Sequence, residues 1–205
     1  SEYGIYEDLV EEDDTKESAA KNLSLKLINT TTSGQVLVIF ENDYLKAGKK
    51  DIYPEELCLL LHFTVKHMGN VMNDLRLSTL LDMLFNRFQN LEFDFILTTI
   101  WSLGLLVAFR RYEISTENKY HVLNQLRDAQ IPSQSVPNLP SLIFSISCLF
   151  YPNEVDDEVY KVVKQLSEHY IKEGIMLIEP LHASTLLMGW SRLQYHNEEY
   201  LHKIS

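Results

Sequence analysis

Cysteine is scarce in this chain: Cys58 and Cys148 are the only two in 205 residues. Two thiols so far apart exclude a disulfide framework. Both fall in apolar helical patterns, which suits buried thiols in a reducing interior. Base is scarce as well. Eighteen Lys and Arg stand against 29 Asp and Glu, a formal net charge of −11, so composition supplies none of the broad basic face that a nonspecific nucleic-acid binder displays. Long apolar runs are missing. Stretches such as Leu57 to Leu61 and Ser102 to Phe109 fall well short of the roughly 20 residues of a membrane span, and we read the chain as soluble, with no membrane insertion.

Catalytic signatures are missing too. There is no His-Glu-x-x-His, no glycine-rich phosphate loop, no Ser-His-Asp order and no CxxC pair. The seven histidines do not assemble a ligand set: His62 and His67 are five apart, off one helix face, and His182, His196 and His202 are scattered over two helices and a turn. The acid pairs Glu92/Asp94 and Asp156/Asp157 sit at helix starts, where acids complement the helix dipole. On this reading the chain is not an enzyme and holds no cofactor and no metal.

What charge there is gathers at one end. Residues 1–20 carry eight acids and Lys16 as the sole base, while the remainder is nearly balanced at −4. Such a segment repels itself and packs little core, so residues 1–32 are expected to form a flexible acidic arm and lead-in. Tyr3, Ile5, Tyr6, Leu9 and Val10 within it could dock on a basic protein. A start at Ser1 is what removal of an organelle transit peptide, or of Met alone, leaves behind.

The most informative stretch is Trp101-Ser102-Leu103-Gly104-Leu105-Leu106, with the pattern large, small, large, small, any, Leu. It returns as Phe144-Ser145-Ile146-Ser147-Cys148-Leu149 and as Met188-Gly189-Trp190-Ser191-Arg192-Leu193, at spacings of 43 and 44 residues. A weaker copy begins at His62, 39 residues before Trp101, with His67 in the Leu place. Self-similarity at this period marks stacked helical repeats, and terminal repeats are commonly atypical. His62, Trp101, Phe144 and Met188 are therefore expected as core anchors, with Leu106, Leu149 and Leu193 as a stacked apolar column. The small residues between them suit close helix packing, and Gly104, at a helix-interior cost of about 1 kcal/mol, implies a neighbouring backbone close by.

The rest of the pattern alternates a more amphipathic helix with a more buried one. Ser33 is expected to cap a helix through Val36, Leu37, Phe40 and Tyr44, with a strand at Gln35 to Phe40 as the competing reading. Pro54-Glu55-Glu56 opens the next helix and Gly69 closes it. Leu77, Leu80, Leu81 and Leu84 line another. Asp94 caps the Trp101 helix, and Ser115 opens a helix through Leu126. Residues 131–138 read as a loop before the Phe144 helix. Asn153 to Asp157 reads as the acidic start of a helix that Gly174 breaks, and Glu179-Pro180 starts the last buried one.

The phrase Ile96-Leu-Thr-Thr-Ile-Trp-Ser-Leu-Gly-Leu-Leu106 resembles the helix signature of octotricopeptide and heptatricopeptide repeats and of the related repeats in FAST-kinase-domain proteins. Leu139 to Leu149 and Ala183 to Leu193 are similar to it, with Phe and Met in place of Trp. The resemblance implies an all-α fold, an α-solenoid of about four helix-pair repeats over residues 33–205. It also implies work in mitochondria or chloroplasts, on organelle RNA or within an organelle ribonucleoprotein.

The combined expectation is a non-catalytic scaffold subunit of an organelle ribonucleoprotein, foremost the mitochondrial ribosome of the matrix, packed against other proteins and touching rRNA or organelle mRNA at an edge. The alternatives are a HEAT- or armadillo-like adaptor in another large mitochondrial complex, or a free organelle RNA-processing or stability factor, and the alternative locations are the chloroplast and the cytoplasm. The candidate RNA contacts are Lys46, Lys49, Lys50, Arg110, Arg111, Lys161, Lys164 and Arg192. Each has an ordinary reading as a solvated surface cation or as a partner of the helix C-terminal dipole.

Overall fold

The computed structural model describes residues 15–173 and 179–204. The acidic residues 1–14 and the expected helix breaker Gly174 lie outside the described residues. Ten α-helices and no strand occur among those described, so the chain is all-α. They fall into two compact units, residues 1–91 and 92–205.

The first unit is built around one helix. The helices are α1 (Lys16–Leu27), α2 (Ser33–Phe40), α3 (Pro54–Lys66) and α4 (Leu75–Arg87). Pro54 at the first position and Glu55 and Glu56 in the first turn set the start of α3. Its Leu57, Leu60 and Leu61 are fully buried, and it packs on α1, α2 and α4. Helix α1 falls inside the expected arm: Leu23 and Leu27 are buried against the fold, and Thr15 caps the helix by accepting from the Ser18 amide at 3.2 Å. The helical fold thus reaches back at least to Lys16, where α1 covers an apolar face of α3.

The contest between helix and strand at Gln35 to Phe40 goes to helix. Thr32, not Ser33, is the cap. Its hydroxyl accepts from the Gln35 amide at 3.2 Å, and the Gln35 side chain accepts in return from the Thr32 amide at 3.3 Å. Val36, Leu37 and Phe40 are buried while Val38 is 45% exposed, the helical alternation. Ser33 instead ties helices together: its hydroxyl donates to the Thr64 carbonyl at 2.6 Å and accepts from the Gly69 amide at 2.9 Å. That explains Gly69, where a Cβ would lie 2.6 Å from the Ser33 hydroxyl. The left-handed residue that ends the helix is Met68, at φ 55°. Past Phe40 the chain widens into a π-helical turn, Glu41–Lys46.

The second unit holds α5 (Phe93–Arg110), α6 (Thr116–Asp128), a 3-10 turn at Ser133–Asn138 where a loop was expected, α7 (Leu139–Phe150), α8 (Asp157–Lys172), α9 (Pro180–Leu193) and α10 (Glu198–Ile204). Helix α7 is the centre, packed side by side with both α5 and α9, while α6 lies on α5 and α8 on α7. Three buried helices thus form an inner row with two amphipathic helices outside it. The row is parallel. Asp94 at the start of α5 accepts from Ser135, just before α7, at 2.6 Å, and Gly104 meets Ser145 and Cys148 further along. Asp94 is therefore a tie between helices. Glu92 holds the cap position of α5 instead. Ser115 and Asp156 do cap their helices, accepting from the amides of Asn118 and Val159.

The glycines sit where the helices nearly touch. A Cβ on Gly104 would lie 2.9 Å from the Ser145 carbonyl oxygen, and one on Gly189 would lie 3.1 Å from the Phe144 backbone. The expected leucine column is buried, with Leu106, Leu149 and Leu193 at 3% exposure or less. The expected anchors are not core. Met188 is 53% exposed, and Trp101, Phe144 and His62 are only half-buried. Helical geometry gives the reason: at about 100° per residue, an anchor lies roughly 140° around the helix from the leucine five places on. Burying the leucine turns the anchor toward the edge. The residue three before each leucine faces inward with it, and Leu103, Ile146 and Trp190 are buried at 2% exposure or less.

Helix α5 also revises the reading of apolar length. Its 18 residues have a mean hydropathy of 1.5, so by length and composition it is capable of crossing a membrane, and 44% of it is buried within the fold. The polar residues that interrupt its apolar pattern are satisfied internally: Thr98, Thr99 and Ser102 each donate to the carbonyl four residues back at 2.8–2.9 Å.

Candidate functional site

Polar side chains converge at several places among the described residues, and three of them bear on function. In the first unit, the π-helical turn brings Asp43 and Tyr44 to a cleft of about 280 Å³ that Asn22, Lys26, Lys49 and Glu56 also line. Glu56 is 1% exposed and fully engaged. One oxygen accepts from the Tyr44 hydroxyl at 2.8 Å and from the Lys49 ammonium at 2.6 Å, and the other from the Tyr53 amide at 2.9 Å. Burial, and then the hydrogen bond to Glu56, push the Tyr44 phenol far above its ordinary range. Lys26 donates to Asp43 at 3.0 Å across the mouth. Every cation here has its carboxylate, so the cleft is an internally neutralised staple.

In the second unit, Lys119 on α6 is buried at 7% exposure. It donates to Glu154, in the turn before α8, at 2.5 Å, and Thr116 donates to the other oxygen of that carboxylate at 2.5 Å. Burial alone would raise Glu154, but the hydrogen bonds from Lys119 and Thr116 outweigh it and hold the carboxyl below its usual range. Tyr120 donates to Asp156 beside it. These contacts tie the outer helices α6 and α8 together.

The third place is the groove between α7 and α9. Arg192 lies over the ring of Tyr151, 4.8 Å from its centroid, and 5.8 Å from that of Phe144. Its Nε is buried and meets no hydrogen-bond acceptor among the described residues. Tyr151 is 46% exposed and Met188 53%. Burial pushes the Cys148 thiol up, against the opposing pull of the Arg192 charge.

The sequence-derived RNA contacts divide between the two units, Lys46, Lys49 and Lys50 in the first and Arg110, Arg111, Lys161, Lys164 and Arg192 in the second. Lys46 pairs with Glu41 at 3.3 Å and Lys49 with Glu56 at 2.6 Å. Lys50 lies exposed in the same turn. Arg110 and Arg111 are exposed at the end of α5, where Arg111 takes a left-handed conformation at φ 52° and the Tyr112 amide donates back to the Leu106 carbonyl at 2.9 Å. Lys161 is exposed on α8, and Lys164 lies 4.0 Å from Glu168 on the same helix. Arg192 is held between rings. Sequence reasoning read Glu56 only as an acid of a helix start, and singled out neither Tyr151 nor the Lys119–Glu154 pair. The spacing of Met188 and Arg192 at i and i+4 was the one available signal for the groove.

Among the described residues no group of three or more His, Cys, Asp or Glu is placed to hold a metal ion. Comparison with protein-family models, curated proteins and solved structures finds no match.

Proposed function

We propose that the chain is a non-catalytic helical-repeat scaffold, an α-solenoid of about four helix pairs, and a structural subunit of an organelle ribonucleoprotein, foremost the mitochondrial ribosome. The observation that carries the scaffold reading is the inner row α5, α7, α9. Its successive helices meet through Gly104 against Ser145 and Gly189 against the Phe144 backbone, and the small residues Gly104, Ser145 and Gly189 recur near the 43- and 44-residue period of the sequence. Stacked repeats bury a continuous core and leave long faces for partners. The organelle setting is supported by the likeness of Ile96 to Leu106 to octotricopeptide-type helices.

Affinity purification of the tagged full chain from its native cell, with and without RNase, tests this. Co-purification of ribosomal proteins and rRNA at constant stoichiometry is expected. Recovery of an RNA-free assembly that RNase leaves unchanged overturns the ribonucleoprotein assignment.

A further inference from the structure

We infer that the groove between α7 and α9 is a docking site for an acidic amphipathic helix of a partner protein, whose carboxylate pairs with Arg192. The inference rests on the scaffold reading and names the kind of partner that one of its faces takes.

The argument begins with the guanidinium. Arginine stacked on rings is pre-organised, and its planar fork suits a carboxylate. No acid faces Arg192 within ion-pair distance among the described residues, although its Nε is buried without an acceptor. A half-buried cation stacked on rings, with no counter-charge within ion-pair distance, is half of a pair.

The surroundings specify the rest. Leu181, Met188 and Arg192 follow at i, i+7 and i+11 on α9, one face of a helix. Leu181 is 73% exposed and Met188 53%. Phe144 on α7 and Tyr151, the extended residue that follows its last turn, form the opposite wall by their contact with Arg192. Arg, Tyr and Met around an apolar strip, with charge sparse, is the composition of a protein-interface core, and a groove between helices receives an apolar helix face at i, i+3, i+4 and i+7. RNA fits less well, because phosphate binding draws on several cations at once. Lys161 and Lys164 lie on the outer helix α8, and Lys164 already faces Glu168.

The test places a photo-crosslinking benzophenone amino acid at Met188 in the tagged full chain, expressed in its native cell, and reads the adduct by mass spectrometry. The expected adduct is a single protein segment with helix-period apolar residues and an Asp or Glu. Arg192→Glu should weaken association at least about 30-fold, as loss of a buried interfacial charge pair does, and replacing the partner acid by Arg should restore it. Leu181→Glu, on an exposed turn that supports no packing, should abolish the adduct with an unchanged melting curve. It decides the matter if Arg192→Glu disturbs the fold. RNA adducts, no adduct, or adducts indifferent to Leu181→Glu overturn the docking site while an intact assembly leaves the scaffold reading standing. Recovery of the chain free of any assembly overturns both.

Discussion

Gly104 of α5 lies so close to the Ser145 carbonyl of α7 that a Cβ would meet that oxygen at 2.9 Å. The contact is backbone to backbone, so the neighbour has no side chain to swing away. Alanine would regain about 1 kcal/mol of helix propensity, but overpacking in a dense core costs about 1–3 kcal/mol. Gly104→Ala is therefore expected to destabilise the second unit by about 1 kcal/mol, and Gly104→Val by more. Gly189→Ala, with its nearest backbone atoms at 3.1 Å, should cost less. Urea melts of the three variants check the order, and equal or raised stability in Gly104→Ala would remove the close approach as the basis of the inner row.

The two tryptophans should separate cleanly. Trp190 is 2% exposed, donates from its indole nitrogen to the Ser167 hydroxyl at 2.9 Å, and lies 5.1–5.2 Å from the rings of Tyr195 and Tyr200. Trp190→Ala should cost about 3–5 kcal/mol, the range for a large buried aromatic. Trp101 is only half-buried, so Trp101→Ala should cost clearly less. Thermal unfolding followed by circular dichroism distinguishes them. A larger loss at Trp101 would reinstate it as the core anchor.

That reversal shows what the sequence made legible. Helix starts at Pro54, Ser115, Asp156 and Pro180 were readable because proline and short polar caps act within a single turn. The close approach at Gly104 was readable because an interior glycine costs stability. The phase of each buried helix was not: α5 and α7 are apolar nearly all round, so periodicity gave no direction, and the largest residue was mistaken for the inward one. The same limit hid the groove. Phe144 and Arg192 were each visible, but their meeting depends on helices 48 residues apart in sequence packing side by side.

Lys119 and Glu154 should respond asymmetrically. Lys119 is 7% exposed, and its pairing with Glu154 at 2.5 Å offsets the desolvation of the ammonium. Removing the acid leaves a buried cation without its counter-charge, a loss of about 3–5 kcal/mol for fully buried pairs. Glu154 is 30% exposed at its side chain, so Glu154→Ala should fall at or below the low end of that range. Lys119→Met removes the charge but keeps the aliphatic stem, and should cost less than Glu154→Ala. In the double variant the two losses should not add. Additive losses in a double-mutant cycle would mean that the pair contributes no coupling.

His62 should make the first unit sensitive to mild acid. Burial, and then the nearby Lys66 charge, hold its imidazole below the ordinary value of 6.5. Its ring packs edge-on to Phe63 at 5.5 Å. The unfolded chain therefore takes up a proton near pH 6.5 that the folded chain refuses. Stability contributed this way is complete above that pH and declines as the pH falls below it, until the folded residue also protonates. One proton limits the slope to about 1.4 kcal/mol per pH unit. Glu154, Asp74 and Asp156 are held below their own ordinary values of 4.5, 3.8 and 3.8, so their losses begin only in stronger acid. His62→Gln, neutral at every pH, should flatten the stability profile between about pH 6.5 and 5 while leaving the steeper fall below it. Urea unfolding across that range measures both slopes, and an unchanged profile in His62→Gln would assign the mild-acid loss to another histidine.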